Sequence, residues 1–87
     1  MALSPQECAE LKEVLRGKGT NHRYADVARW LRKADFDPPR DAEGSHRVWV
    51  HPSGRRVLLV DRGHGPILPV YVKKAIRTIL EVGACPD

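Results

Sequence analysis

Three clusters of proline and glycine divide this chain into segments that must form separate elements. Pro38-Pro39 excludes a helix and permits only an edge strand or an irregular strand, because proline has no backbone N–H to donate. Pro52-Ser53-Gly54 predicts a turn, and Gly63-His64-Gly65-Pro66 is a second break. The segments between them predict a helical first half, a β-hairpin and a final helix.

The hydrophobic pattern predicts three helices and three strands. The first helix begins with a capping box at Ser4-Pro5-Gln6-Glu7. The helices are expected over about 4–17, 24–34 and 69–82. A short strand is expected after Phe36, with further strands over about 44–51 and 55–61. This order predicts an α+β fold, in which the helices pack on one face of a small antiparallel three-stranded sheet.

The length of 87 residues allows one domain, residues 1–87, with a core at about 24–82. No apolar run approaches the ~18 residues of a membrane span. The first twelve residues contain two glutamates and do not have the pattern of a signal peptide. Cys8 and Cys85 are too few for a disulfide scaffold. We therefore expect a cytoplasmic protein with both cysteines reduced, although the two could pair.

The basic charge is concentrated in the second half of the chain. Residues 1–43 carry equal numbers of basic and acidic side chains, whereas residues 44–80 carry seven Lys or Arg and one Asp. A cationic face on a small protein favours a polyanion as partner, most commonly nucleic acid. A solvated surface that keeps the protein soluble explains the same charge equally well.

Three motifs occur in an order and spacing that resembles the HicA family of bacterial toxins. They are VARWLRKADF at 27–36 followed by Gly44-Ser45-His46, HPSGRRV at 51–57, and LPVYVKKAI at 68–76. The resemblance implies a fold like a double-stranded-RNA-binding domain, and the helix before it resembles that of longer family members. It also implies a type II toxin that acts as a metal-independent endoribonuclease, cleaves mRNA and inhibits translation. The implied partners are RNA and a HicB-like antitoxin.

The chain departs from the family pattern at three points. Asp35 stands where family members usually have glycine before the Phe. Pro38-Pro39 is unusual in the strand that follows, and Arg47 stands where many members have a second histidine. The histidine that the family treats as catalytic corresponds to His46.

The chemistry of RNA cleavage agrees with that assignment. Cleavage without a metal uses the ribose 2′-OH as nucleophile, and it needs a base, an acid and cations for the phosphorane charge. Histidine, with a pKa of about 6.5, suits either proton-transfer role. Gly44, which has no Cβ, permits close approach of an RNA backbone. The candidate RNA-binding residues are Gly44, Ser45, Arg47, Arg55, Arg56, Lys73, Lys74 and Arg77.

Other interpretations of these residues are open. His46 could be a partly buried strand histidine, Trp49 could stack on a base or pack against a neighbour, and the cations of the last helix could be a solvated face. His51 is expected to be structural at the hairpin turn, or to be a second proton carrier. The histidines and cysteines lack the spacing of metal ligands, so no metal and no cofactor are expected.

Two alternative functions fit the same pattern. One is a non-catalytic RNA-binding module of the same fold, in which His46 only hydrogen-bonds. The other is a protein-interaction domain whose basic charge meets an acidic partner.

Overall fold

The computed structural model describes residues 3–17, 22–40, 44–61, 63 and 65–85. Its elements are α1 (Pro5–Leu15), α2 (Tyr24–Lys33), β1 (His46–Val50), β2 (Arg56–Val60) and α3 (Pro69–Glu81). The prediction of a small mixed α+β fold with three helices is confirmed. Within the described ranges, no helix is long and apolar enough to cross a membrane.

The predicted capping box starts α1 and also ties it to α2. Ser4 Oγ accepts the backbone N–H of Glu7 at 3.1 Å, and Glu7 Oε1 accepts the backbone N–H of Ser4 at 2.9 Å. The other Glu7 oxygen accepts from Lys33 Nζ, at the end of α2, at 2.6 Å. The hydrogen bond from Lys33, followed by that from the Ser4 backbone, lowers the pKa of Glu7 to about 2.

The sheet is an antiparallel hairpin of β1 and β2. The prediction of a third strand is wrong for the described residues, where a single bridge between Asp37 and Val50 stands in its place. Asp37 donates its N–H to the Val50 carbonyl at 2.8 Å and accepts the Val50 N–H at 3.4 Å. Pro38-Pro39 follows directly and has no N–H with which to extend the ladder, so the pairing ends after one residue.

The sheet has a buried inner face and an exposed outer face. Trp49, Val57 and Leu59 point inward and are buried with the helices in one apolar core. The core residues of α3 are Val72, Ala75, Ile76 and Ile79, and those of α2 include Trp30 and Leu31. The outer face consists of His46, Val48 and Val50 from β1 and Arg56, Leu58 and Val60 from β2. The helices therefore leave the outer face of the sheet open to a ligand or a partner.

A disulfide joins Cys8 of α1 to Cys85, just beyond α3, with the Cα atoms 5.7 Å apart. The expectation that both cysteines are reduced is therefore wrong for this structure. The pair is separated by 77 residues, so no local spacing predicts it. It forms because α1 packs on α3 and brings two buried cysteine side chains together.

We predict that reduction of this disulfide destabilises the fold. Because the bond closes a loop of 77 residues in the unfolded chain, its loss should lower the free energy of unfolding by about 2–4 kcal/mol. Guanidinium unfolding with and without dithiothreitol measures the difference. The Cys8→Ser, Cys85→Ser double variant should match the reduced wild type and not respond to dithiothreitol. Equal stability of the oxidised and reduced wild type would contradict the prediction.

The backbone at Asp35 has a left-handed conformation that favours glycine, which accounts for the glycine of the family pattern at this position. Its φ is 70°, and it is the one residue other than glycine with positive φ in the described part of the chain. That region costs an ordinary L residue roughly 1–2 kcal/mol, and Asp is among the residues that tolerate it best. The turn that follows α2 therefore keeps its backbone shape although glycine is absent.

We predict that Asp35→Gly is more stable than Asp35→Ala by about 0.5–1 kcal/mol. Both variants lose the carboxylate, so their difference reports the backbone alone. The left-handed conformation penalises alanine by more than glycine loses through its freer unfolded chain. Paired thermal and denaturant unfolding of the two variants measures this difference, and a more stable alanine variant would be the contrary result.

Candidate active site and basic groove

His46 lies at the start of β1, on the outer face of the sheet, and is exposed. The alternation of the strand places it there. Trp49, three positions later, is 0% exposed on the inner face, so His46 must point to the opposite side. Its partner across the hairpin is Val60. No described residue forms a hydrogen bond with its ring, so both ring nitrogens can meet a ligand.

The turn before His46 is held by Arg47. Its Nη1 donates to the Gly44 carbonyl at 2.7 Å and to the His46 carbonyl at 3.1 Å. The Ser45 carbonyl accepts the N–H of Asp61 at 2.7 Å, which fixes the same turn to the end of β2. Arg47 is half-buried. The structure thus gives this predicted RNA-binding residue a positioning contact beside His46.

Gly44 has φ 60°, and a Cβ placed on it would meet no atom within 4 Å. Glycine is therefore favoured here by the backbone conformation and not by crowding within the chain. The open space above it leaves room for the close approach of a ligand backbone that the sequence suggests.

The His51 side chain forms its contacts within the hairpin turn and with Phe36. The Ser53 N–H donates to its Nδ1 at 3.0 Å, and its ring packs on Phe36 at a centroid distance of 5.0 Å. It lies five residues from His46 and on the opposite face of the strand. The structural interpretation of His51 is therefore supported, and the two histidines do not form an acid–base pair.

Three of the six predicted cations lie together, and the other three, Arg47, Arg55 and Lys73, do not join them. Arg56, Lys74 and Arg77 line one groove between β2 and α3, together with Leu58 and Tyr71. We call this the basic groove. Among the described residues, Glu81 is the only acid that lines it, and Glu81 pairs with Arg55 at 3.3 Å. Lys73 is half-buried and does not line the groove.

A second, shallow depression lies on the outer face of the sheet. Its lining includes Val48 and Val50 with two cations, Arg40 and Arg56. Arg56 thus borders both depressions. The charge pattern of the sequence did not point to Arg40, because residues 1–43 carry no net charge and Arg40 comes to the sheet only through the Asp37–Val50 bridge.

Trp49 does not stack on a base. It is 0% exposed, Tyr24 packs against it at a centroid distance of 6.5 Å, and the Arg32 guanidinium lies 5.5 Å from its ring centroid. Of the two interpretations of Trp49, packing is confirmed. Trp30 is also fully buried, as its place on the apolar side of its helix predicts.

A comparison with protein families matches residues 24–82 to the HicA toxin of bacterial toxin–antitoxin systems. The match covers about two thirds of the chain. The chain belongs to the HicA toxin family. Membership makes it the toxin of a toxin–antitoxin system, with an antitoxin as partner. Comparisons with curated proteins and with solved structures gave no match. His46 and the basic groove lie inside the matched region of the HicA family, whereas α1 and Cys85 lie outside it.

Proposed function

We propose that this toxin is a metal-independent endoribonuclease that cleaves mRNA in the cytoplasm and inhibits translation, with His46 as its catalytic residue. The observation that carries the proposal is the difference between the described histidines. His51 bonds to Ser53, and His22 packs on Trp30 at a centroid distance of 5.1 Å. His46 is exposed, lies on β1, which pairs with β2, and has no hydrogen bond between its ring and a described residue. A proton-transfer group must be accessible and held in position, and His46 meets both conditions.

The reaction requires two proton transfers. The ribose 2′-oxygen attacks the adjacent phosphorus and gives its proton to the neutral His46 imidazole. The bond from phosphorus to the 5′-oxygen breaks, and water protonates that leaving oxygen. The products are a 2′,3′-cyclic phosphate and a 5′-hydroxyl. A cation at the phosphate stabilises the negative charge that develops there, and the described cation beside His46 is Arg47, whose Nη1 donates to the Gly44 and His46 carbonyls.

The outer face of the sheet offers a path for RNA from His46 to the two cations at the other end of the strand, Arg40 and Arg56. Arg56 lies opposite Val50, four residues along the strand from His46, and a strand rises about 3.3 Å per residue. The backbone of Arg56 therefore lies roughly 13 Å along the strand from His46, and Arg40 lines the same depression as Arg56. Val48 and Leu58, each 41% exposed, form the surface between them. Flanking phosphates bound at these cations place the scissile phosphate near His46.

We predict that His46→Ala and His46→Gln both lose about 10²–10⁴-fold in cleavage rate while the melting temperature stays close to that of the wild type. Glutamine keeps hydrogen-bonding capacity but carries no proton-transfer group near neutral pH. A glutamine variant that still cleaves would therefore favour the non-catalytic role of His46. The assay follows an end-labelled mRNA fragment, with oxidised and with reduced protein.

Three controls accompany this test. His51→Ala should lower the melting temperature, because it removes the Phe36 and Ser53 contacts, and its folded form should still cleave RNA. The wild type should cleave in the presence of EDTA. DNA of the same sequence should stay intact, since it lacks the 2′-OH. Cleavage of DNA or dependence on a metal would overturn the proposed chemistry.

We predict that RNA binding depends on salt and on the basic groove. The double variant Lys74→Glu, Arg77→Glu should weaken binding and reduce the slope of log K against log [salt] by about one to two units, because each phosphate contact releases counterions. The matched control is Lys12→Glu, Arg16→Glu on α1, which changes the net charge equally at two exposed positions. Equal losses in the two double variants would point to a general charge effect and against a site.

We further propose a HicB-like antitoxin that neutralises the toxin by covering His46. The exposed position of His46 on an open sheet face supports this, because a bound protein there excludes RNA directly. The excess of cations over residues 44–80 favours a cover with acidic residues at its contact surface.

A further inference from the structure

The free edge of β2 presents backbone groups that no described residue uses. His51 donates its N–H to the Arg55 carbonyl at 2.8 Å, and Asp61 donates to the Ser45 carbonyl at 2.7 Å. These bonds fix the alternation of the hairpin, so the odd-numbered residues of β2 bond to β1. The N–H and C=O of Arg56 and Leu58 therefore point away from β1, with no partner among the described residues.

An exposed strand edge of this composition is a template for another strand. β2 reads Arg-Val-Leu-Leu-Val, which has high β propensity, and Leu58 is 41% exposed. Proteins usually protect such an edge with charge, a bulge or a covering element. Here the edge runs along the basic groove, where Lys74 and Arg77 of α3 lie beside it.

We propose that this edge takes an extended, acidic segment of the antitoxin as an added strand. Main-chain hydrogen bonds to Arg56 and Leu58 supply the pairing. The acidic side chains at alternate positions of the segment lie on its face toward α3, where they meet Lys74 and Arg77. This contact lies at the edge of β2 and is distinct from a cover over His46. It requires the antitoxin partner that family membership gives and does not depend on RNA cleavage.

Charge and backbone pairing distinguish this occupant from a second copy of the chain and from RNA, which competes for the same cations under the proposed function. A second copy of the chain would bring its own Lys74 and Arg77 against the same cations, which repel. RNA would satisfy the cations but has no strand backbone to pair with the N–H of Leu58. An acidic strand satisfies both the cations and the backbone.

The test uses Leu58→Pro, which removes the outward N–H and keeps the β1–β2 ladder, because that N–H does not point to β1. Leu58→Ala is the matched control, since it shortens the side chain and keeps the N–H. The probe is a blocked heptapeptide of alternating Glu and Val, titrated into the ¹⁵N-labelled full chain. Its counterpart with Lys in place of Glu tests the charge.

We predict that the Glu peptide binds the wild type and slows hydrogen exchange at Leu58, and that Leu58→Pro weakens binding by about tenfold or more, equivalent to one lost hydrogen bond. Leu58→Ala should lose much less, and the Lys peptide should not bind. If Leu58→Pro does not fold, the chain synthesised with N-methyl-leucine at 58 serves the same purpose. His46→Ala should bind the peptide as the wild type does, whatever its cleavage activity.

Three results would overturn the proposal. The first is binding of the Glu peptide with no effect of Leu58→Pro, which would indicate ionic docking without strand pairing. The second is a dimer that forms through the same amide groups in the absence of peptide. The third is a single-stranded RNA whose binding depends on the Leu58 N–H.

Discussion

The burial of Trp49 determines which face of the sheet is exposed and carries His46. A strand places neighbouring side chains on opposite faces, and a shift of one residue would expose this indole and bury His46. Because the indole is the largest apolar group that β1 contributes to the core, the register is strongly specified. The exposed position of His46 is thus a consequence of core packing three residues away. Stability and accessibility of the catalytic candidate are set by the same interaction.

Some polar residues of β1 and its turns make contacts within the fold, and others are exposed and available to a ligand. Arg47 binds the carbonyl groups of the turn, and His51 closes the other end of β1 against Phe36. Both are chemically suited to contact RNA, yet their hydrogen bonds and packing commit them to the backbone. Among the described residues, none forms a hydrogen bond with the side chain of His46 or of Arg56, and the outer face between these two is apolar and open. Residue type alone does not tell a structural residue from a ligand-binding one. The difference depends on which carbonyl group or ring each side chain contacts in the folded chain.

The sequence predicted the parts of the fold that depend on local signals. The capping box of α1, the alternation of β1 and the proline-led start of α3 all rest on neighbouring residues, and the structure contains each of them. It did not predict the Cys8–Cys85 bond or the place of Arg40, because both depend on contacts between distant segments. The third strand failed for a local reason that was visible in advance, since Pro38-Pro39 cannot donate to a ladder. Of the candidate site, the motif indicated His46 as the catalytic residue and the charge indicated a cationic face, and both roles stay predictions, whereas the backbone contacts of Arg47 required coordinates.

The segment outside the family match adds to the fold on the side away from the site. α1 packs on α3, and α3 lies against the inner face of the sheet, so the added helix does not approach the outer face that carries His46. Both cysteines of the disulfide also lie outside residues 24–82. The disulfide therefore joins α1, which precedes the matched region, to the residues that follow α3. A domain of this size buries a limited core, and the helix, the disulfide and the Glu7–Lys33 pair enlarge and brace it without changing the surface on which RNA and the antitoxin would act.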